Sequence, residues 1–265
     1  MTKKSIYLFE PTYKNSKKIL TDLQQLFEDI GYKIADSSDT ADIIASIGAD
    51  GAFLQAIRKS DFRDDCLYIG IGVEDRNHMY VDFNYHNLAE IREVFETMNF
   101  ETRQYPIIEV KVNDNQPNYC LNEFTIRSNL VRTIMMDIYI DDFLFEHFNG
   151  DGLVISTPTG STGYNKSLGG AVIDPLVKAM QVTELGSVNN NNHRTLGTSF
   201  LLSKKRPITL VIDNSIEYYP IMSMDNEALS VQNTEKISVK LSDHSINTIK
   251  LTNNTFWHKT QRNFL

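Results

Sequence analysis

One acidic side chain set among small residues is the first feature of this chain that a fold alone does not require. In "DIIASIGADGAFLQAI" (residues 42–57) an apolar run ends at Gly48, Ala49, Asp50, Gly51 and Ala52, and apolar spacing resumes at Phe53, Leu54 and Ile57 in a different rhythm. The change predicts a strand handing over to a helix. A helix that starts beyond the carboxyl end of a parallel strand aims free N–H groups and its positive dipole end at the crevice, which suits a phosphate. Gly48 and Gly51 let backbone approach such an anion, and Ala49 and Ala52 keep the approach open. An N-cap role also fits Asp50, although a cap does not need small residues on both sides. The glycine spacing is not the G-x-G-x-x-G dinucleotide fingerprint.

A second constellation is "NGDGLVISTPTGSTGYNKSLGG" (149–170), an apolar run feeding a loop dense in hydroxyls, glycines and one lysine. Gly160, Lys166 and Ser167 stand at Walker-like distance, but Asn165 replaces the second glycine and Gly169 and Gly170 interrupt any long helix, so a P-loop is rejected. The composition suits hydrogen bonding to a ribose and phosphates. Third, Asn122 and Glu123 sit together in "LNEFTIRS". Strand neighbours point to opposite faces, so either one faces solvent or both lie at a strand end and converge on a ligand; the residues alone do not choose.

The elements that must position these groups fall into two rhythms. "SIYLFE" (5–10), "ADIIASIG" and "CLYIGIG" (66–72) read as strands alternating with helices over 16–31, "GAFLQAIRKS" and 87–98, a pattern of parallel sheet with crossover helices. After about residue 100, "YPIIEVKVN", "YCLNEFTIRS", "TIMMDIYID", "FLFEHF" and "GLVIST" are short β-rich runs. A helix is expected over 175–186, followed by strands at "RPITLVID", "IEYYPIMSMD", "EALSVQ", "KISVKLS" and "NTIKLT". In the tail, Phe256, Trp257 and Phe264 share a helical spacing that predicts docking through the aromatic rings.

Composition bounds the function. The 265 residues are 41% hydrophobic and 23% charged with a net charge of -8, an ordinary globular balance that argues against a nucleic-acid partner. No run approaches the ~20 apolar residues of a membrane span, and the start lacks a signal peptide's apolar core, so a cytoplasmic location is expected. Cys66 and Cys120 form no paired spacing and read as buried thiols. Six histidines show no ligand spacing, and no G-x-S-x-G elbow supports a hydrolase.

Taken in order, "GADGA", "LNE", "GDGLVISTPTGSTGYNKSLGGA" and "DNEALS" resemble the NAD kinase family, whose hallmarks are GGDGT, NE and a GDG-STPTGSTAY-S-GG block. The resemblance runs essentially end to end and is greatest to the second-paralogue branch of Bacillus-type bacteria. It implies an α/β plus all-β chain: an N-terminal Rossmann-like α/β domain (1–100) completed by the tail (252–265), and a β-sandwich-like NAD-binding domain (101–251). The implied activity is transfer of the terminal phosphate of ATP, or of polyphosphate, to the 2'-hydroxyl of the adenosine ribose of NAD. Mg2+ or another divalent cation would accompany ATP, and the protein would be a homo-oligomer, tetramer or dimer, with NAD between domains and across subunits.

Carried over residue by residue, the resemblance makes Asp50 the base for the 2'-hydroxyl, lines the phosphate-binding turn with Gly51, and has Asn122 and Glu123 hold a ribose. Asn149, where the family often has arginine, and Asp151, Thr162, Gly163, Tyr164, Asn165, Lys166, Ser167 and Gly186 would complete the pocket. Ala49 and Ala52 replace the family's second glycine and threonine, Gly163 replaces an alanine, and "GVEDRNHM" (72–79) replaces its substrate loop. These departures leave two alternatives: a catalytically impaired NAD(P)-binding regulator or assembly partner, and a lipid or sugar kinase sharing the GGDGT-like turn.

Overall fold

Short apolar runs near the start of the chain become parallel strands because helices cover both of their faces. The computed structural model describes residues 4–10, 16–129, 131–213, 220–229 and 234–265. The chain divides into two units, Met1–Tyr105 with Ser245–Leu265, and Pro106–His244.

In the first unit β1 (Ser5–Phe9), α1 (Ser16–Asp29), β2 (Lys33–Ile34), β3 (Ile43–Ile47), α2 (Asp50–Lys59), β4 (Leu67–Gly72), β5 (Phe83–Asn84) and α3 (Leu88–Thr97) follow one another. The sheet runs β2-β1-β3-β4, all parallel, with Ile6 opposite Ile43 and Ile43 opposite Leu67. β5 and, through Thr248, a strand from the end of the chain also pair with β4. Leu23 and Phe27 of α1 and Ile91 and Phe95 of α3 share one core with Ile6, Ile43, Ile69 and Ile71. Tyr68 points the other way, as strand neighbours must, and there it meets Phe53 of α2 edge-on at 6.4 Å.

β6 (Glu101–Val112) leads into the second unit, which contains β7 (Asn118–Cys120), β8 (Glu123–Arg127), β9 (Ile134–Ile140), β10 (Phe143–Gly150), β11 (Gly152–Ser156), α4 (Tyr164–Ser167), β12 (Ala179–Leu185), β13 (Phe200–Ser203), β14 (Ile208–Ile212), β15 (Ile221–Met224) and β16 (Glu227–Leu229). β17 (Lys236–Lys250) leads back out. One antiparallel sheet runs β13-β12-β11-β8-β15-β16, and β10, β9, β14 and β17 form a second antiparallel run. Phe124, Ile155, Val182 and Met222 from the first share a core with Met136, Phe148, Leu210 and Val239 from the second. The alternation of apolar and polar residues on β9 places its apolar set in that core.

Three expectations need correction. The helix expected over 175–186 is largely β12, whose residues 179–183 are all buried between β11 and β13. Sheet neighbours on both sides override a weak helical spacing. The runs "KISVKLS" and "NTIKLT" are one fifteen-residue strand, β17, and Asp243 and His244 are its exposed polar middle rather than a turn. The tail does form a helix, α5 (Phe256–Phe264), but Trp257 is 49% and Phe264 40% exposed, while the side chain it buries is Lys259. Of "IEYYPIMSMD" and "EALSVQ", residues 216–219 and 230–232 lie outside the described residues.

Candidate active site

Asp50 owes its place to Gly48. β3 ends there with φ +133°, a backbone conformation that favours glycine, and a Cβ at that point would sit 3.0 Å from the Ala52 side chain. The Gly48 N–H donates to the Ile71 carbonyl of the neighbouring strand at 2.9 Å. The N-cap of α2 is Ala49, so Asp50 is the first helical residue. Its carboxylate is held from outside the helix: the Met79 N–H donates to Oδ2 and the Tyr80 N–H to Oδ1, each at 2.8 Å. A carboxylate offers about four acceptor sites, so this backbone clamp fixes the group and leaves sites for a further donor. Gly51 is exposed, and a Cβ there would meet nothing within 4 Å.

Ala49, standing for the family's second glycine, has φ -82° and ψ -175°, extended backbone that any residue adopts. The departure from GGDGT therefore costs the turn no strain.

In the second unit the "LNE" and "STPTGSTG" stretches meet. Thr157 donates its N–H to the Asn122 carbonyl at 2.8 Å and its hydroxyl to the Leu121 carbonyl at 2.6 Å, and Gly160 donates its N–H to the Thr157 hydroxyl at 2.9 Å. A Cβ at Gly160 would lie 2.1 Å from the Asn122 carbonyl oxygen, which explains a glycine there without any ligand. A Cβ at Gly163 would stand 3.2 Å from Glu123 Oε2.

Glu123 is buried, and its Oε2 meets no hydrogen-bond partner among the described residues. Burial first, and then the nearby Asp225 carboxylate, push its carboxyl up to about 8. Asp225 itself occupies the two-residue turn between β15 and β16 at φ +52°, and accepts the backbone N–H groups of Leu121 (3.1 Å), Asn122 (2.6 Å) and Glu123 (3.3 Å). Reasoning from residue types did not single out Asp225, although "DNEALS" contains it, and gave no hint of the Met79 and Tyr80 amides, since any residue carries an N–H.

The remaining candidates separate. Asp151 and Gly186 adjoin: the Asp151 N–H donates to Leu185 at 2.8 Å, Gly186 has φ +52°, and a Cβ there would come within 2.5 Å of Asp151 Oδ2. Asn149 is buried nearby, its Oδ1 without a partner among the described residues and its carbonyl accepting from Val188 at 2.7 Å. This group lies at the Gly152 end of β11, whereas Glu123 pairs with Ser156 at the other end, roughly 14 Å away by strand rise.

Between them α4 presents Tyr164, whose hydroxyl accepts from Arg127 at 3.5 Å, and exposed Lys166 and Ser167. Thr162 is buried and donates its hydroxyl to the Thr159 carbonyl at 3.2 Å. Asn165 is wholly internal: its Oδ1 accepts from Thr183 at 2.7 Å and its Nδ2 donates to the Ser161 and Ala171 carbonyls at 3.3 and 3.4 Å. It ties the loop down rather than pointing out of it.

Comparison with known proteins agrees with this arrangement of motifs. Residues 121–251 match the ATP-NAD kinase C-terminal domain. The chain is 48% identical over 263 residues to NAD kinase 2 of Bacillus licheniformis, covering 99% of each, and 47% identical over 263 residues to NAD kinase 2 of Bacillus subtilis, covering 99% of this chain and 98% of the other. In fold it is similar to a yeast NADH kinase complexed with NADH (TM-score 0.82, 16% identity, 98% of this chain and 86% of that one). It is likewise similar to an NAD kinase from Archaeoglobus fulgidus in complex with ATP (TM-score 0.75, 18% identity, 97% and 98%).

Proposed function

We infer that this chain, which belongs to the NAD kinase family, transfers the terminal phosphate of ATP to the 2'-hydroxyl of the adenosine ribose of NAD, producing NADP. The single observation that carries Asp50 as the base is its clamp, two 2.8 Å bonds that aim a half-buried carboxylate beside the open start of α2. In the transfer the 2'-oxygen bonds to the terminal phosphorus, the bond to the bridging oxygen breaks, ADP leaves with its electron pair, and the hydroxyl proton passes to Asp50. Such a base contributes about 10²- to 10⁴-fold, and alignment of the two substrates supplies much of the rest. A divalent cation is assigned to the phosphates of ATP, where it neutralises charge; no side chain of this chain is assigned to it.

Glu123 and Asn122 are read as ribose ligands. A bare, buried Oε2 favours a donor such as a ribose hydroxyl, which would supply the bond the carboxyl lacks. The distance along β11 between Glu123 and the Asn149, Asp151 and Gly186 group supports a homo-oligomer in which a second copy brings the latter to the dinucleotide. Exposed Phe143, Leu196 and Leu201 on the second unit support self-association. Two free, buried cysteines fit the reducing cytoplasm.

The test is purified protein with NAD, ATP and Mg2+, with product read by an NADP-specific dehydrogenase. The expected result is NADP formation that Asp50→Asn removes. Binding of NAD without turnover would overturn the kinase assignment, and full turnover by Asp50→Asn would overturn Asp50 as the base.

A further inference from the structure

The clamp on Asp50 is itself held from behind. Tyr80's N–H and Met79's carbonyl belong to one peptide group, and the carbonyl accepts a 2.8 Å bond from Nζ of Lys259, the side chain that α5 buries. A continuous line therefore runs from an ammonium through a single peptide to Oδ1 of Asp50. Lys250 donates to the next carbonyl, that of Tyr80. Asp82 bonds Lys259 through Oδ1, lies 3.8 Å from Lys250 through the same oxygen, and accepts the Leu251 N–H at 2.9 Å through Oδ2. Lys250, Lys259 and Asp82 are at most 1% exposed at their side chains. Phe53 and Tyr105 stand within 5.7 Å of Lys250 Nζ, and Phe53 stacks on Tyr80 at 5.3 Å.

Docking the tail does not account for this arrangement. Burying two ammonium groups is expensive, and apolar residues of similar volume would anchor a helix at least as well. Yet α5 leaves Trp257 and Phe264 half-exposed and buries its lysine. Asp82 bonds Lys259 and lies 3.8 Å from Lys250, and the Asp50 charge also acts on Lys250. An ammonium on a carbonyl polarises the peptide and strengthens the N–H at its other end as a donor.

We propose that Lys259, reaching from the C-terminal helix, is a positioning residue that holds Asp50 for proton transfer through the Met79–Tyr80 peptide, with Asp82 orienting it and Lys250 fixing the next carbonyl. This rests on Asp50 being the base. Lys259→Met is then expected to lower kcat by about tenfold to a hundredfold while KM for NAD and ATP stays within about twofold. In an Asp50→Asn background the same substitution should change kcat little, because its route to the reaction is already cut.

Lys259→Gln, which keeps a neutral donor, should fall between wild type and Lys259→Met, and it decides the matter should the methionine variant fail to fold. Wild-type kcat in a folded Lys259 variant, or the same loss with and without Asp50, overturns the proposal while leaving the kinase assignment standing. Full activity of Asp50→Asn overturns Asp50 as the base, and this proposal with it, while the kinase assignment still stands.

Discussion

Asp50 and Glu123 are both acidic groups at the ends of strands, and the fold treats them in opposite ways. Asp50 has a backbone N–H on each carboxylate oxygen, whereas Glu123 keeps Oε2 bare and buried, among the described residues, beside a second carboxylate. The contrast fits the roles proposed for them: a base must be in place before the substrate arrives, so its hydrogen bonds come from the protein, whereas a binding group is more useful when part of its capacity is left for the ligand, at a cost to the free protein. The largest expected effect tests the first half of the contrast. Asp50→Asn keeps the size of the side chain but not its basicity, and turns an NH2 toward one of the two clamping N–H groups. It should reduce NADP formation by about 10²- to 10⁴-fold and lower stability by roughly 1–3 kcal/mol for the lost bond.

Next in size is a change that breaks the backbone packing around the second site. Gly160→Ala would place a methyl 2.1 Å from the Asn122 carbonyl, which is main chain and has little room to yield. Destabilisation of roughly 3 kcal/mol is expected, a fall in melting temperature on the order of 6–12 °C. A melting curve unchanged by Gly160→Ala would show that the loop does not rest on Asn122.

Glu123→Gln sharpens the contrast through pH. The Glu123 carboxyl is raised to about 8 from 4.5, so between those values the folded chain keeps a proton that the unfolded chain releases. Its contribution to stability is full below about pH 4.5 and is lost as pH rises through 8. Glutamine has no proton to lose. The variant should therefore gain stability over wild type between pH 5 and 8.5, most at the alkaline end, while KM for NAD rises about tenfold as an amide nitrogen replaces one of the carboxyl oxygens. A variant whose melting temperature tracks wild type across that range would remove Glu123 from the account.

The sequence was most legible where a local pattern had one structural outcome. Gly48 to Ala52 marks the handover from β3 to α2, and the alternation before and after residue 100 separates parallel from antiparallel strands. It was least legible where distant segments decide the result. Residues 179–185 carry a spacing compatible with a helix, and only β11 and β13 on either side make them a strand. The Asp50 clamp comes from the amides of Met79 and Tyr80, which no side-chain motif can announce. Lys259 looks like an ordinary surface lysine in a polar helix, and its burial depends on Asp82, 177 residues earlier in the chain.

The smallest expected effect concerns the residue beside Asp50 that departs most visibly from the family pattern. Ala49 takes the place of the second glycine of GGDGT, but its φ of -82° asks nothing special of the backbone. Ala49→Gly should therefore leave kcat within about twofold, because Asp50 is oriented by Met79 and Tyr80 rather than by its neighbour. The glycine would enlarge the freedom of the unfolded chain and lower stability by roughly 0.5 kcal/mol. A large gain in kcat would mean that the methyl of Ala49 obstructs phosphate at the start of α2, and Asp50 would then be limited by access rather than by its clamp. Paired measurements of kcat and melting temperature on this one variant distinguish the two.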